Sequence, residues 1–282
     1  MWRIGSAGTM RCRGAILFGI VLCGCGRIGF EEVQDGDGFG MDTAPVVPWR
    51  TPPKKLVELD SGSEEDPTLT ADRLTIVWGS YRSGGAGNED LWTATRATPS
   101  SPFTGITNIA ILNSAGDEAE PEISADGKTL YYEVNSNIFV STNPGSGWSA
   151  PTLVSELSTG SEDDLGLSPD GLIIVIIRNH HFMRATRAST ALPFGTPVAL
   201  PELDDSVDVA SPTVGDGGRV IYFHNKLPRD LYVARLVGAS YSPPTPVVEL
   251  NTIDRDADPC ISGDETSIIY NCVDSLCETT RP

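Results

Sequence analysis

From residue 49 onward the chain alternates short polar turns with runs of five or six β-branched and aromatic residues. The clearest case is Leu172 to Ile177, six apolar residues in a row, preceded by the turn Ser168-Pro169-Asp170-Gly171. A run this short, bounded by turn residues and rich in Ile and Val, predicts a strand buried on both faces rather than a helix face. The turn aspartate has counterparts at Asp72, Asp126, Asp216 and Asp264, so the spacings along the chain are 54, 44, 46 and 48 residues. Periods of this size belong to propeller blades or solenoid units.

Aligned on these aspartates, the copies share further columns. Four residues on stand Ile76, Leu130, Ile174, Val220 and Ile268; six residues on stand Trp78, Tyr132, Ile176, Tyr222 and Tyr270. A further strand follows at Leu91-Trp92, Ile138-Phe139, Phe182-Met183, Leu231-Tyr232 and Leu276-Cys277. Another opens at an aromatic residue: Trp49, Phe103, Trp148, Phe194 or Tyr241. Each turn aspartate is preceded by a short strand, such as PEIS or LGLS. Four strands per copy with no helical segment predict an all-β propeller of four-stranded antiparallel blades. The phase adds a closure: residues 49–60 read as the strand that ends a blade, and 256–280 as a blade that lacks it. Pairing the two leaves no open edge. The expected domains are therefore a leader over 1–24, a tether over 25–48 and a five-bladed propeller over 49–282.

The stretches EPEISADGKTLYY (Glu120 to Tyr132) and DLGLSPDGLIIVI (Asp164 to Ile176) resemble the WD-repeat-like β-propeller repeats of the TolB type. The similarity runs through all five copies and is weakest in the fourth, where Val214 stands in place of the turn serine. The resemblance implies an envelope protein that binds protein partners. That family usually has six blades, which makes six the alternative to the five counted here.

Upstream of the repeats, Arg11 and Arg13 precede an apolar run from Ala15 to Leu22, then Cys23-Gly24-Cys25. This is the layout of a secretory signal, and eight apolar residues are too few to span a bilayer. Leu22-Cys23-Gly24-Cys25 resembles the lipobox of bacterial lipoproteins, which implies cleavage before Cys25 and acylation of its sulfur and new amino terminus. More than one acyl chain gives stable anchoring. Met10 would open a tighter signal than Met1. The tether that follows reaches about 25 Å r.m.s. as a flexible coil. Together these features place the protein at the bacterial envelope, anchored to a membrane by lipid, with the outer membrane or periplasmic face favoured.

The chain of 282 residues carries a formal charge of −18, and loss of Arg3, Arg11 and Arg13 with the leader takes it to −21. Such a surface repels nucleic acid and anionic lipid and favours cationic partners. Of the six cysteines, Cys260, Cys272 and Cys277 fall in the last copy. In an oxidising compartment Cys272 and Cys277 are expected to bridge across a short loop, leaving Cys260 buried and free.

No nucleophile elbow, zinc-protease, phosphate-loop or dinucleotide motif occurs. What repeats is acid ahead of the innermost strand: Glu64-Glu65-Asp66, Asp117-Glu118 with Glu120, Glu162-Asp163-Asp164, Asp204-Asp205 with Asp208, and Asp254 with Asp256 and Asp258. Six residues before the turn aspartate stand Asp66, Glu120, Asp164 and Asp258. The fourth copy has Ala210 there and Asp208 two residues earlier. These five acids are the candidate ligand-binding rim around the axis, suited to a Lys/Arg-rich partner segment or to Ca2+. His180, His181 and His224 lie in loops expected on the same face and are weak metal candidates. The function expected from sequence is a monomeric protein-binding or scaffold module with no required cofactor. The alternative is a glycan-active hydrolase that uses the axial carboxylates.

Overall fold

The structure, a computed structural model, describes residues 47–204, 209–273 and 275–282. The leader, the tether as far as residue 46 with Cys25, and residues 205–208 with Asp205 and Asp208 lie outside the described residues. Strand β1 (Lys54–Lys55) opens the fold. Blade one follows as β2 (Glu64–Leu69), β3 (Thr75–Ser80), β4 (Asp90–Thr95) and β5 (Thr104–Asn108). Blade two is β6 (Glu118–Ile123), β7 (Thr129–Val134), β8 (Asn137–Thr142) and β9 (Thr152–Leu153). Blade three is β10 (Glu162–Leu167), β11 (Ile173–Arg178), β12 (His181–Thr186) and β13 (Val198–Ala199). Blade four is β14 (Val209–Gly215), β15 (Val220–Asn225) and β16 (Leu231–Val237), with its outer strand split into β17 (Ser240–Tyr241) and β18 (Thr245–Pro246). Blade five is β19 (Asp256–Ile261), β20 (Ser267–Cys272) and β21 (Ser275–Thr280).

All pairings are antiparallel, and β1 completes blade five by pairing Lys54 with Glu278 and Lys55 with Cys277. The protein is thus a five-bladed propeller closed by its N-terminal strand, and the six-bladed alternative falls. Leu56 N donates to Leu276 O at 2.8 Å and Arg50 N to Thr280 O at 3.1 Å, extending the clasp beyond the two paired residues.

The unbroken apolar runs have a simple cause. Five hydrophobic clusters occupy the five interfaces between neighbouring blades, and successive residues of one strand serve opposite clusters. Ile174 and Ile176 pack toward blade two, whereas Ile173, Val175 and Ile177 pack toward blade four. Ile76 and Trp78 face blade five and Val77 faces blade two. A strand with both faces buried loses the polar alternation of a half-exposed sheet.

The repeated turn is fixed by its own side chains. Ser168 Oγ donates to Asp170 Oδ1 at 2.6 Å and accepts from Ile173 N at 2.9 Å, and Leu172 N donates to Asp170 Oδ1 at 3.0 Å. Thr70, Ser124 and Ser262 repeat this bonding toward Asp72, Asp126 and Asp264. Blade four has Gly215, paired with Val220, where the others carry a hydroxyl, and there the turn winds into a single 3-10 turn at Asp216–Gly218 instead. The hairpin keeps its length, since Val214 pairs with Ile221 across the same span as Leu167 with Ile174, but Asp216 stands one place earlier in it than Asp170 does.

Candidate functional site: an axial ring of carboxylates

Each inner strand carries a β-bulge, between Glu65 and Thr68, Ala119 and Glu122, Glu162 and Leu165, Ala210 and Thr213, and Ala257 and Cys260. In four blades the bulged residue precedes a proline and has a positive φ: Asp66 at 49°, Glu120 at 51°, Ser211 at 46° and Asp258 at 50°. The left-handed conformation costs a side chain of this kind about 1–2 kcal/mol. Its effect is to swing these side chains off the sheet toward the axis. Blade three has Leu165 in place of the proline, and Asp164 fills the fifth position without the left-handed kink.

Inner-strand packing at this level is tight. A Cβ on Gly166 would stand 2.1 Å from Pro212 O, so only glycine lets blades three and four approach here.

The ring is therefore Asp66, Glu120, Asp164, Ser211 and Asp258. Ser211 replaces the Ala210 expected from turn spacing, because Asp216 stands one place earlier in its hairpin than the other turn aspartates. Ala210 instead pairs with His224, one residue before the bulge. Ser211 Oγ lies 3.1 Å from Asp164 Oδ1, 3.2 Å from Asp258 Oδ1 and 3.5 Å from Asp66 Oδ1. A hydroxyl has one proton to donate, so at most one of these three carboxylates is served at a time. Asp164 Oδ2 is buried with no hydrogen-bond partner.

Ionisation follows from this crowding. Burial first, then the charges of Asp258, Glu89, Glu65 and Asp164, push Asp66 well above the usual carboxylate range. Burial and the neighbouring Asp164 and Asp66 do the same to Glu120. Asp164 is pushed up to about 6 by burial and by Asp163, against hydrogen bonding that favours its charge. Burial and mutual repulsion therefore favour the protonated forms of Asp66, Glu120 and Asp164.

Above the ring a bowl of about 210 Å3 opens, lined in part by Glu65, Asp163, Asp164, Lys226, Arg229 and Arg255. Below it a constriction of about 20 Å3 runs past the prolines to Glu122. Glu122 accepts from Thr68 Oγ1 at 2.8 Å and Leu167 N at 3.2 Å, tying three blades together, and burial pushes it up to about 7.

The acid runs read in the sequence separate into two sets. Glu64, Glu118, Glu162 and Asp256 turn away from the bowl and are buried under their own loops. Glu162 accepts from Thr159 N at 2.7 Å and Thr159 Oγ1 at 2.8 Å and pairs with Arg178 Nε at 2.6 Å. Glu64 pairs with Arg82 at 2.7 Å in the same way. Burial opposes the charge of Glu64, yet bonds from Ser61, Arg82 and Ser63 outweigh it and hold the carboxyl below its usual value. These four acids fasten loops.

The bowl is less uniformly acidic than the sequence pattern implied. Arg255 bridges Glu65 at 2.8 Å and Asp258 at 2.9 Å, and Lys226 reaches Asp163 at 3.1 Å. The three histidines do not converge. His181 is exposed and pairs with Asp204 at 3.0 Å. His180 stands 3.5 Å from Lys226 Nζ. His224 is buried, its Nδ1 accepts from Asp258 N at 3.2 Å, and burial pulls it down to about 4. Among the described residues the one group of three that could hold a metal ion is Glu65, Asp66 and Glu89, and Glu89 has no place in the repeat.

Cys272 and Cys277 are bridged, with Cα atoms 5.8 Å apart, and Cys260 is free and buried.

The architecture so defined is a five-bladed propeller with a carboxylate ring on its axis. No protein-family model matches the chain, and no curated protein matches it. Solved structures similar to it include TolB from Acinetobacter baumannii, at 13% identity and a TM-score of 0.47, covering 77% of this chain and 54% of that one. A structure described as putative TolB from Agrobacterium tumefaciens is 19% identical with a TM-score of 0.44, covering 73% and 69%. The Cps50 (Swd1) propeller domain of Myceliophteria thermophila is 6% identical with a TM-score of 0.42, covering 74% and 68%. The blade count rests on the strand pairing above and not on these likenesses.

Proposed function

We propose that this chain is a bacterial envelope protein, exported and lipid-anchored through Cys25, whose axial bowl receives a cationic segment of a protein partner. The observation that carries the reading is the set of three carboxylates, Asp66, Asp164 and Asp258, gathered around the Ser211 hydroxyl at the floor of an open bowl that Glu120 also lines. A Lys or Arg side chain entering there supplies the charge and the donors that Asp66, Asp164 and Asp258 compete for. Arg255 and Lys226 on the wall would choose among partners, accepting a segment in which basic and acidic residues alternate and repelling a uniformly basic one. Membrane address rests on the signal-like run Ala15 to Leu22 and the box that ends in Cys25.

Calorimetric titration with a Lys/Arg-containing peptide and its Glu-substituted counterpart tests the site. Binding of the first alone, weakened about tenfold or more by Glu120→Gln, Asp164→Asn and Asp258→Asn together, supports it. Equal binding of both peptides sinks it. For the anchor, Cys25→Ser should abolish acyl labelling and partitioning into detergent; unchanged partitioning would contradict it.

A glycan-active hydrolase is the second reading, favoured by Glu120 beside Asp164, two carboxyls with differing proton affinities. Glycoside hydrolysis needs a pair of carboxyls about 5–9.5 Å apart with the scissile bond between them. Here Ser211 occupies the space between the ring oxygens, an arrangement better suited to a cation than to a sugar. Release of reducing ends from a polysaccharide panel, lost in Asp164→Asn, would reverse that preference.

A further inference from the structure

Blade one departs from the other four where β3 meets β4. Blades two, three and five connect these strands across a few residues, whereas blade one inserts residues 81–89, Tyr-Arg-Ser-Gly-Gly-Ala-Gly-Asn-Glu. The insertion ends in Glu89, which is only 5% exposed. Space for its carboxylate comes from Gly79, the residue paired with Glu65 across the two inner strands. The matching positions carry Glu133, His224 and Asn271 in blades two, four and five. A Cβ on Gly79 would stand 2.2 Å from Glu89 Oε1. The glycine therefore makes room for an acid delivered from outside the repeat.

This acid is incompletely bonded. Tyr81 donates to Glu89 Oε2 at 3.0 Å, but Oε1 is buried and has no hydrogen-bond partner. Oxygen atoms of Glu65, Asp66 and Glu89 all lie within 4.8 Å of one another. The charged groups acting on Glu89 are acids: Glu65, Asp117 and Asp258. The cation bonded within the trio is Arg255, on Glu65 alone. Leaving a buried carboxylate oxygen unbonded is costly, and oxygen-only ligands suit hard cations.

The geometry points to a divalent-cation site in blade one, made by Glu65, Asp66 and Glu89 and taking an ion of the Ca2+ class. Glu65 and Asp66 line the bowl, so the ion enters from solvent through it. The site is off the axis and does not depend on the partner reading, although Asp66 belongs to both.

Calcium titration of the full-length protein in detergent, followed by calorimetry and by the melting temperature, tests the site. Expected are one Ca2+ per chain and a rise in melting temperature. Glu89→Gln keeps the shape and should weaken binding about tenfold or more. Gly79→Ala keeps every ligand but pushes the Glu89 carboxylate aside, and should weaken binding likewise. The axial variant Glu120→Gln, Asp164→Asn, Asp258→Asn should still bind within about threefold, which separates this site from the peptide site. No saturable calcium binding, wild-type affinity in both blade-one variants, or loss confined to the axial variant would each overturn the proposal.

Discussion

Arg96 and Glu278, 182 residues apart, form a two-bonded ion pair at 2.8 Å and 2.8 Å between blade one and the last strand of blade five. Arg96 is almost fully buried and lies 4.3 Å above the Phe103 ring. The pair sits where the circle closes, beside the pairing of Lys54 with Glu278.

Breaking a buried pair from one side leaves the other charge stranded, so Arg96→Ala should cost about 3 kcal/mol in denaturant unfolding. Replacing both partners with apolar residues, Arg96→Met with Glu278→Leu, should cost less than the two single changes added. Deleting residues 49–60 removes the clasp itself and should give aggregation or loss of a single cooperative transition. A truncated protein that melts like the parent would show that β1 does not close the ring.

Three buried carboxyls set an unusual pH profile. Glu89, Glu122 and Asp164 start from 4.5, 4.5 and 3.8 and are raised in the fold to about 8, 7 and 6, with burial the leading cause in each. Between those limits the native state binds more protons than the unfolded chain, so stability falls as pH rises through about 5 to 8. His224, lowered by burial from 6.5 to about 4, acts oppositely and removes stability as pH falls below 6.5. With several carboxyls against one histidine, the melting temperature in chelator should decline from pH 6 to pH 8. A steady rise over that range would contradict the ionisation described here.

The disulfide crosses a hairpin in which Cys272 pairs with Ser275 and Tyr270 with Cys277. So short a loop gives little entropic gain, and reduction should lower stability by about 2 kcal/mol, the low end of the usual range. Burial pushes the Cys260 thiol far up, so thiol reagents should not label it in the native protein and should label it on unfolding. Rapid native labelling of Cys260 would count against its place beneath the ring.

The blades were legible because their chemistry is local. Ser168 and Asp170 bond to their own turn, and Ile173 to Ile177 carry two blade interfaces in one run, so both signals repeat with the fold. The ring was legible in four blades and misaligned in one. Asp66, Glu120, Asp164 and Asp258 sit at a fixed distance before the turn aspartate, but Asp216 of blade four stands one place early in its hairpin, so the same count lands on Ala210 and misses Ser211. The recurring X-Pro pair, Asp66-Pro67, Glu120-Pro121, Ser211-Pro212 and Asp258-Pro259, marks the bulge better than the turn does. Spacing alone could not separate Glu64 and Glu162, which fasten loops, from Asp66 and Asp164, which face the axis, because the difference arises at the bulge. Glu89 lay outside every repeat; its trace in the sequence is Gly79 in the middle of a strand, a sign of close approach.

The central claim is that a partner engages the bowl face of the propeller. Asp163 on the bowl and Asp126 on the opposite face are both more than half exposed, so each can carry a photo-crosslinking side chain. Irradiating the anchored protein in its native envelope should give a partner adduct from position 163 and none from position 126. That adduct should disappear when Glu120, Asp164 and Asp258 are neutralised together. Adducts from position 126 alone, or adducts from 163 that survive neutralisation of the ring, would contradict it.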